Sequence, residues 1–428
     1  MYGFNDNGSR REFLRSGAFG AGAVVLGPRL ARSRRAPTTA ISGTISLWAW
    51  GAGPEFDAWQ ERIAYFNSKF PDVEVQFEPL AKNGYEEYPQ LLTRIAGGNA
   101  PDVIRVLNFQ PTQLVSEGNA LLPLDDFIAA SPDFDQSDFF ESVMRGAMVD
   151  GTTYTVPQNG EPYVLYYNKD AFAAAGLDDA QEMFVAGTWD DAAFLAAVDA
   201  LMESGVRFGV AFESWNYDNF CFMGGGAVLD ESLAPVIDHG ASPEMLGLLA
   251  GLVADQKAPS PVVAGGANLE PFRNGDVGMY IMGPWWGPAL EATPPEFAWN
   301  VTGLPSFNGV TACKLEIDSL AISSATENPD AAWAFVKTVT DTEGLRIWSA
   351  VGTPTRRTAL AEAGYESIVW RKDSLTMVDK STFTPFTVAG AAVDTAAMAA
   401  LDPMWEGSAT AEEATADAAE QIGELLAG

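Results

Sequence analysis

Three tryptophan-bearing segments stand out as places where this chain is equipped to grip a small molecule. Trp285 and Trp286 follow Gly283-Pro284, a turn that presents one indole outward. Trp215-Asn216 follows the strand-like run 208–212 and precedes a Gly224-Gly225-Gly226 turn, so both side chains are expected on a rim. Trp48 and Trp50 flank Ala49 and share one face of a strand; Trp50, at the strand's end, is the ligand candidate, and Trp48 the core one. Tyr163 opens an aromatic, β-prone run and either stacks on a ligand or packs. Asn108-Phe109 closes another apolar run. Flat rings beside amides and carboxylates suit a sugar, whose C–H faces stack and whose hydroxyls take paired hydrogen bonds. The competing reading is that each of these rings is core, since tryptophan is buried on average.

The elements that position these residues alternate. A strand-like stretch over 41–50 ends at Gly51-Ala-Gly-Pro54, and Phe56, Trp59, Ile63 and Phe66 then recur at helical spacing. Val73-Glu-Val-Gln-Phe77 alternates as a strand does, a helix is expected around 85–95, and 101–107 reads as a buried strand. Strand, helix, strand, helix, strand predicts an α/β domain with a mainly parallel sheet. Its ligands are expected beyond the strands' carboxyl ends, which brings the 50–54 and 108–110 turns together. A second α/β unit begins near 160, with a capped helix start at Thr188-Trp-Asp-Asp191. Another helix starts at Asn328-Pro329, with Ala332, Phe335, Val336 and Val339 as its apolar stripe, and the 408–421 tail reads as a terminal helix.

The balance of 25 basic against 57 acidic residues, a net charge of −32 over 428 residues, argues against a nucleic-acid partner or an anionic membrane surface. One histidine, His239, is too few for a histidine-based metal site, and two cysteines are too few for a disulfide scaffold. Cys221 and Cys313 are expected as separate buried thiols. Residues 1–40 resemble a twin-arginine export signal: Ser9-Arg10-Arg11-Glu12-Phe13-Leu14 precedes a weakly apolar run of about a dozen residues, shorter than the roughly 20 a membrane span needs. Without that segment the chain keeps 18 basic and 55 acidic residues, a surface suited to a salty exterior or to ordinary extracellular acidity. No cysteine marks a lipid anchor near the expected cleavage region, so the product is expected outside the cytoplasmic membrane, periplasmic or extracellular.

Five segments in one order carry a resemblance: Phe66-Asn-Ser-Lys-Phe-Pro-Asp-Val-Glu-Val75; Leu91-Leu-Thr-Arg-Ile-Ala-Gly-Gly-Asn-Ala-Pro-Asp-Val103; Tyr154-Thr-Val-Pro157 with Leu165-Tyr-Tyr-Asn-Lys-Asp-Ala-Phe172; Phe272-Arg-Asn-Gly-Asp-Val-Gly-Met279 through Trp286; and Asn328-Pro-Asp-Ala-Ala-Trp-Ala-Phe335, ending near Thr355. Each alone is weak; together they resemble the family 1 extracellular solute-binding proteins of ABC importers, which include maltodextrin and multiple-sugar binders. The resemblance implies a two-lobe periplasmic-binding-protein fold (type II) with ligand between lobes joined by hinge strands. It divides the chain into 41–160 plus 316–352 for one lobe and 161–315 plus 353–428 for the other. It also implies a non-catalytic monomer, without cofactor, that delivers a carbohydrate to membrane permease subunits.

By the same resemblance, Trp285 occupies a sugar-stacking position, and Glu161 that of a hinge carboxylate that binds sugar hydroxyls. Asn108 and Phe109 match cleft-loop positions, Asp318 lies near the second hinge, and Arg356 lies just beyond the third. The segment Thr311-Ala-Cys-Lys-Leu-Glu-Ile-Asp318 departs from the family by lacking a Gly-Gly pair, which leaves its hinge contacts open. A secreted glycoside hydrolase is the catalytic rival, but the strand–helix units do not repeat eight times and no nucleophile elbow, HExxH or phosphate loop is present. Within the same fold, a polyamine, glycerol phosphate or organic anion is the alternative ligand.

Overall fold

The computed structural model describes residues 41–428 apart from 81, 83, 117, 263–266 and 428, so the expected export signal lies outside the described residues. The first strand, β1 (Gly43–Trp50), sends Ile45, Leu47 and Ala49 to one core and Trp48 to another, as a pleat with period two requires. Helix α1 (Pro54–Lys69) follows, with Pro54 in its first turn and Glu55 and Asp57 at the end where the helix dipole favours acids. Trp59, Ile63 and Phe66 face inward as their spacing predicts, but Arg62 is buried on the same face.

Strands β2 (Val73–Leu80) and β3 (Val103–Leu107) run parallel to β1 on either side. Next come β4 (Thr155–Pro162), β5 (Val164–Asn168), β6 (Phe208–Ala211), β7 (Val277–Met282), β8 (Trp299–Thr302), β9 (Cys313–Ile322) and β10 (Ser381–Thr382). The first sheet has the order β10-β9-β3-β1-β2, with β4 also paired to β9. Its β2-β1-β3 heart is parallel as expected, while β9 pairs antiparallel to both β3 and β4. The second sheet, β8-β5-β7-β6, is antiparallel except for the β7–β6 pair.

These sheets belong to two lobes with separate cores. One core joins Ile45 to Trp348 and Val351 around the first sheet; the other joins Val164 to Ile422 around the second. Strand β9 belongs to both: Cys313 lies in the second core, and Leu315, Ile317, Leu320 and Ile322 lie in the first. The crossing from β4 to β5 is a single residue, Tyr163. Residues 353–358, expected in the second lobe, bond to the first: Thr353 accepts from Gly160 N, Arg357 donates to Phe139 O at 2.8 Å and Thr358 N donates to Asp138 at 3.0 Å.

Several helices escaped the sequence pattern, among them Ser242–Ala254 and two that matter for the site. Helix α2 (Tyr217–Gly224) is buried at every position, so it carries no polar stripe from which a period is legible. Helix α3 (Gly390–Trp405) is Ala-rich with a proline inside it. The terminal helix, expected over 408–421, spans Ala411–Ala427.

Both cysteines are free and buried, in agreement with the expected separate thiols, and burial pushes the Cys221 thiol up to about 12. The native protein is therefore expected to be inert to a thiol-reactive chromophore, with both thiols reacting once denaturant unfolds it. Rapid reaction in the native state would contradict this burial.

Candidate functional site

The pleat of β9 sets Lys314, Glu316 and Asp318 on one face and Leu315 and Ile317 on the other. The apolar face packs on the first lobe, where a Cβ on Gly146 would lie 2.2 Å from the Ile317 side chain. Glu161 pairs opposite Glu316 and Asn159 opposite Asp318, so the polar faces of both strands coincide. Register shifts between Asp318 and Ser319, leaving Gln158 as the extra residue of a bulge. That bulge turns Gln158 toward the same cluster: its amide donates to Asp318 at 3.0 Å and its oxygen accepts from Arg62 at 2.7 Å.

Two polar clusters occupy this face. In the first, Arg105 of β3 donates through Nε to both oxygens of Asp318 (3.1 and 2.9 Å) and through a terminal nitrogen at 2.5 Å. It also donates to Trp50 O at 2.8 Å and reaches Glu55 at 3.3 Å. The guanidinium lies 3.7 Å from the Trp50 ring centroid and 5.1 Å from that of Trp348. Beyond Trp348, Arg62 sits 4.7 Å from the same ring and 4.6 Å from Trp59, so indoles and guanidiniums alternate through the lobe. Burial alone would lower the pKa of Arg105, but Asp318 and Glu55 outweigh it and hold the residue firmly charged. For Arg62 burial wins, helped by Arg105, and its pKa falls to about 9.

The second cluster straddles the lobes. Lys314 pairs with Asp218 of α2 at 3.0 Å and with Glu316 at 2.8 Å. Asn108 donates to Glu316 and, at 2.5 Å, to the Tyr85 hydroxyl. Asp394 of α3 accepts from Tyr217 at 2.8 Å, and burial raises its pKa to about 6. One hydrogen-bonded chain thus runs from Tyr85 in the first lobe to Asp218 in the second.

The expected site residues fall into three groups. Trp50, Glu161 and Asp318 gather around Arg105. Asp318 is saturated by Arg105, Gln158 and Asn159, and the Trp50 ring lies against Gly84, where a Cβ would sit 2.6 Å from it. The Gln110 amide also donates to Gly84 O, so the ends of both turns touch Gly84. Glu161 is buried and accepts a long 3.4 Å bond from Thr353 N.

Asn108, Phe109, Tyr163, Asn216 and Trp285 gather around the second cluster. Asn108 takes a left-handed backbone (φ 41°) and is tied to Ile317 by both its main chain and its side-chain oxygen. Phe109 of the first lobe seats on Gly390 of the second, where a Cβ would lie 2.4 Å from its ring. Tyr163 donates to Asn216 and meets the Trp285 ring edge-on at 5.5 Å. Asn216, expected on a rim, is fully buried by that bond.

Trp215, Trp286 and Arg356 stand apart. Trp215 donates to Glu213 at 2.6 Å and lines a cavity of about 480 Å³ with Met398 and Asp402 of α3. Trp286 packs on the second core, its buried indole N–H without a partner among the described residues. Arg356 donates to Thr340 O at 2.6 Å and Asp135 O at 2.9 Å and lies over Phe139, far from the polar face of β9.

A family model for the bacterial extracellular solute-binding proteins matches residues 50–345. The chain belongs to that family. A curated member similar to it is the sn-glycerol-3-phosphate-binding periplasmic protein of Escherichia coli K12, 33% identical over 245 residues. The match takes in 51% of this chain, which spans about half (52%) of that relative's length. Among solved solute-binding structures, an ABC substrate-binding protein of Listeria monocytogenes in complex with cycloalternan superposes with a TM-score of 0.78 at 22% identity, over 90% of this chain and 99% of that one. The glycerophosphocholine complex of a Mycobacterium tuberculosis protein superposes equally well (TM-score 0.78, 18% identity, 90% and 99% coverage). Members of this family bind solutes rather than transform them, and the two-lobe α/β fold is shared.

Burial, then the charges of Asp318 and Glu55, raises the pKa of Glu161 from 4.5 to about 8. A carboxyl held up in this way favours the folded state below about pH 4.5, and that advantage is lost as pH rises toward 8. Glu161→Gln removes the penalty, so the variant is expected to gain stability relative to the parent between these pH values and to keep a constant margin above them. Denaturant unfolding at pH 5, 7 and 9 checks this; a margin independent of pH would refute the assignment.

Proposed function

We propose that this chain is an exported binding protein that captures a carbohydrate, an oligosaccharide, in the cleft between its lobes and hands it to the permease of an ABC importer. In this reading residues 1–40 are the export address, and the lobes comprise 41–160 with 316–352 and 161–315 with 353–428, the bonds of 353–358 to the first lobe favouring an extension of that lobe to 358. The protein works as a monomer, without a cofactor. The observation that carries the sugar reading is the charge inventory of the cleft face. Glu55, Glu161, Glu316, Asp318, Asp218 and Asp394 outnumber the cations beside them among the described residues: Arg105 and Lys314 are each already paired with two of the acids, and Arg62 is held by Gln158 and Val339 O. A phosphate needs unpaired arginine, lysine or helix N–H groups, whereas neutral hydroxyls are served by carboxylates and amides. Trp285, partly buried and edge-on to Tyr163, supplies the stacking ring in this reading.

A second reading, glycerol phosphate or one of its diesters, is favoured by the 33% identity to the sn-glycerol-3-phosphate-binding protein. Thermal unfolding with maltotriose, glycerol 3-phosphate, glycerophosphocholine and spermidine separates the two. A ligand at 100 times its dissociation constant adds about 2.7 kcal/mol, a shift of several degrees. Maltotriose is expected to stabilise the parent, with the shift lost in Trp285→Ala; stabilisation by the phosphates alone would overturn the sugar reading.

A further inference from the structure

The Lys314 ammonium sits where a ligand's amine would sit. It lies on the cleft face of the hinge strand, its side chain 13% exposed, between the carboxylates of Asp218 (8%) and Glu316 (12%). These acids come from different parts of the fold, helix α2 of the second lobe and β9 itself. Each is held by a further bond: Asn219 N donates to Asp218 at 2.9 Å, and Asn108 of the first lobe donates to Glu316. The Asn219 side chain accepts from Lys314 N at 2.9 Å, which fixes the root of the lysine. Tyr85, Tyr163 and Tyr217 lie within electrostatic reach of the group, and Asp394 is a further acid within that reach. Two buried carboxylates converging on one positive charge form an arrangement that also suits an alkylammonium ion.

We propose that Lys314 is the specificity-determining residue of the cleft: an internal cation that fills an amine-binding cage and so keeps amine-bearing solutes out while leaving hydroxylated neutral ones admissible. The inference rests on the reading of this cleft as the solute site and adds to it the device that selects ligand charge. Burial by itself would lower the pKa of the ammonium, but Asp218 and Glu316 outweigh it and hold Lys314 well above the ordinary lysine range. The cage is therefore occupied by a charge at every pH at which the protein works. An incoming amine would have to displace a tethered one whose effective concentration is far higher, and a bound solute hydroxyl is left to accept the ammonium's third N–H.

Truncation empties the cage. In Lys314→Ala, propylammonium, which has the length of the missing stem, is expected to raise the unfolding temperature by several degrees at constant ionic strength. The parent and Lys314→Arg are expected to respond no more than they do to sodium. Putrescine is expected to bind the alanine variant at least tenfold more tightly than the parent. If the variant folds only when propylammonium is present, that rescue supports the proposal equally. Lys314→Met, which also leaves the two acids unpaired but keeps the alkyl stem, is expected to be destabilised like the alanine variant and, unlike it, to gain nothing from propylammonium, because the stem blocks the cage. The proposal is overturned if the parent responds to the amines as the alanine variant does, or if the alanine variant unfolds cooperatively and ignores them. Maltotriose is run in parallel: its failure to bind parent protein would overturn the sugar reading, while the amine response of the variants reads the cage alone.

Discussion

The bidentate ion pair of Arg105 with Asp318 is the constraint around which the cleft is built. A guanidinium and a carboxylate taken out of water each cost several kcal/mol, and their attraction compensates only when geometry and the remaining hydrogen bonds are complete. Here they are complete. Asp318 takes further donors from Gln158 and Asn159, and Arg105 donates to Trp50 O while lying over the Trp50 ring. Because Arg105 sits on β3 and Asp318 on β9, the pair locks the strand that returns from the second lobe into the first sheet. The face of β9 that carries Glu316 and Lys314 is thereby aimed into the space between the lobes.

From that anchor the polar face divides by function. Near Asp318 every strong donor is matched within the first lobe, and the alternating indoles and guanidiniums from Trp50 through Arg105, Trp348 and Arg62 to Trp59 give a rigid wall. Toward Lys314 the partners come from both lobes, and Phe109 on Gly390 adds an apolar contact across the same gap. In the proposed capture of a solute between the lobes, hinge closure would leave the first set of contacts intact and change the second. Two crossings join the halves: β4–β5 turns on one residue, and β9 spans both cores.

Much of this frame was legible in the sequence, because short-range periodicity decides local structure. Trp59, Ile63 and Phe66 marked the buried face of α1, and Ala332, Phe335, Val336 and Val339 that of the later helix. The polar face of β9 was also written locally, in the alternation Lys314, Glu316, Asp318, although the missing Gly-Gly pair obscured its role. Long-range partners were not legible. Nothing local marks Arg62 as buried; its partners Gln158 and Val339 lie 96 and 277 residues away. Asn216 reads as a rim residue until the Tyr163 hydroxyl covers it, and Arg356 reads as a hinge residue until it is found bonded to the carbonyls of Asp135 and Thr340. Side-chain type and strand position set what a residue is able to do; only the packing of distant segments decides which partner claims it.

The most direct measurement of this account is fluorine NMR of the protein carrying 5-fluorotryptophan at its 12 tryptophans, assigned by substitution and titrated with maltotriose. Solute capture at the junction of the lobes predicts that the Trp285 resonance shifts to saturation, while those of Trp59 and Trp333, inside the first lobe, stay in place. A saturating titration that leaves Trp285 unmoved, or no perturbation at any maltotriose concentration, would contradict it.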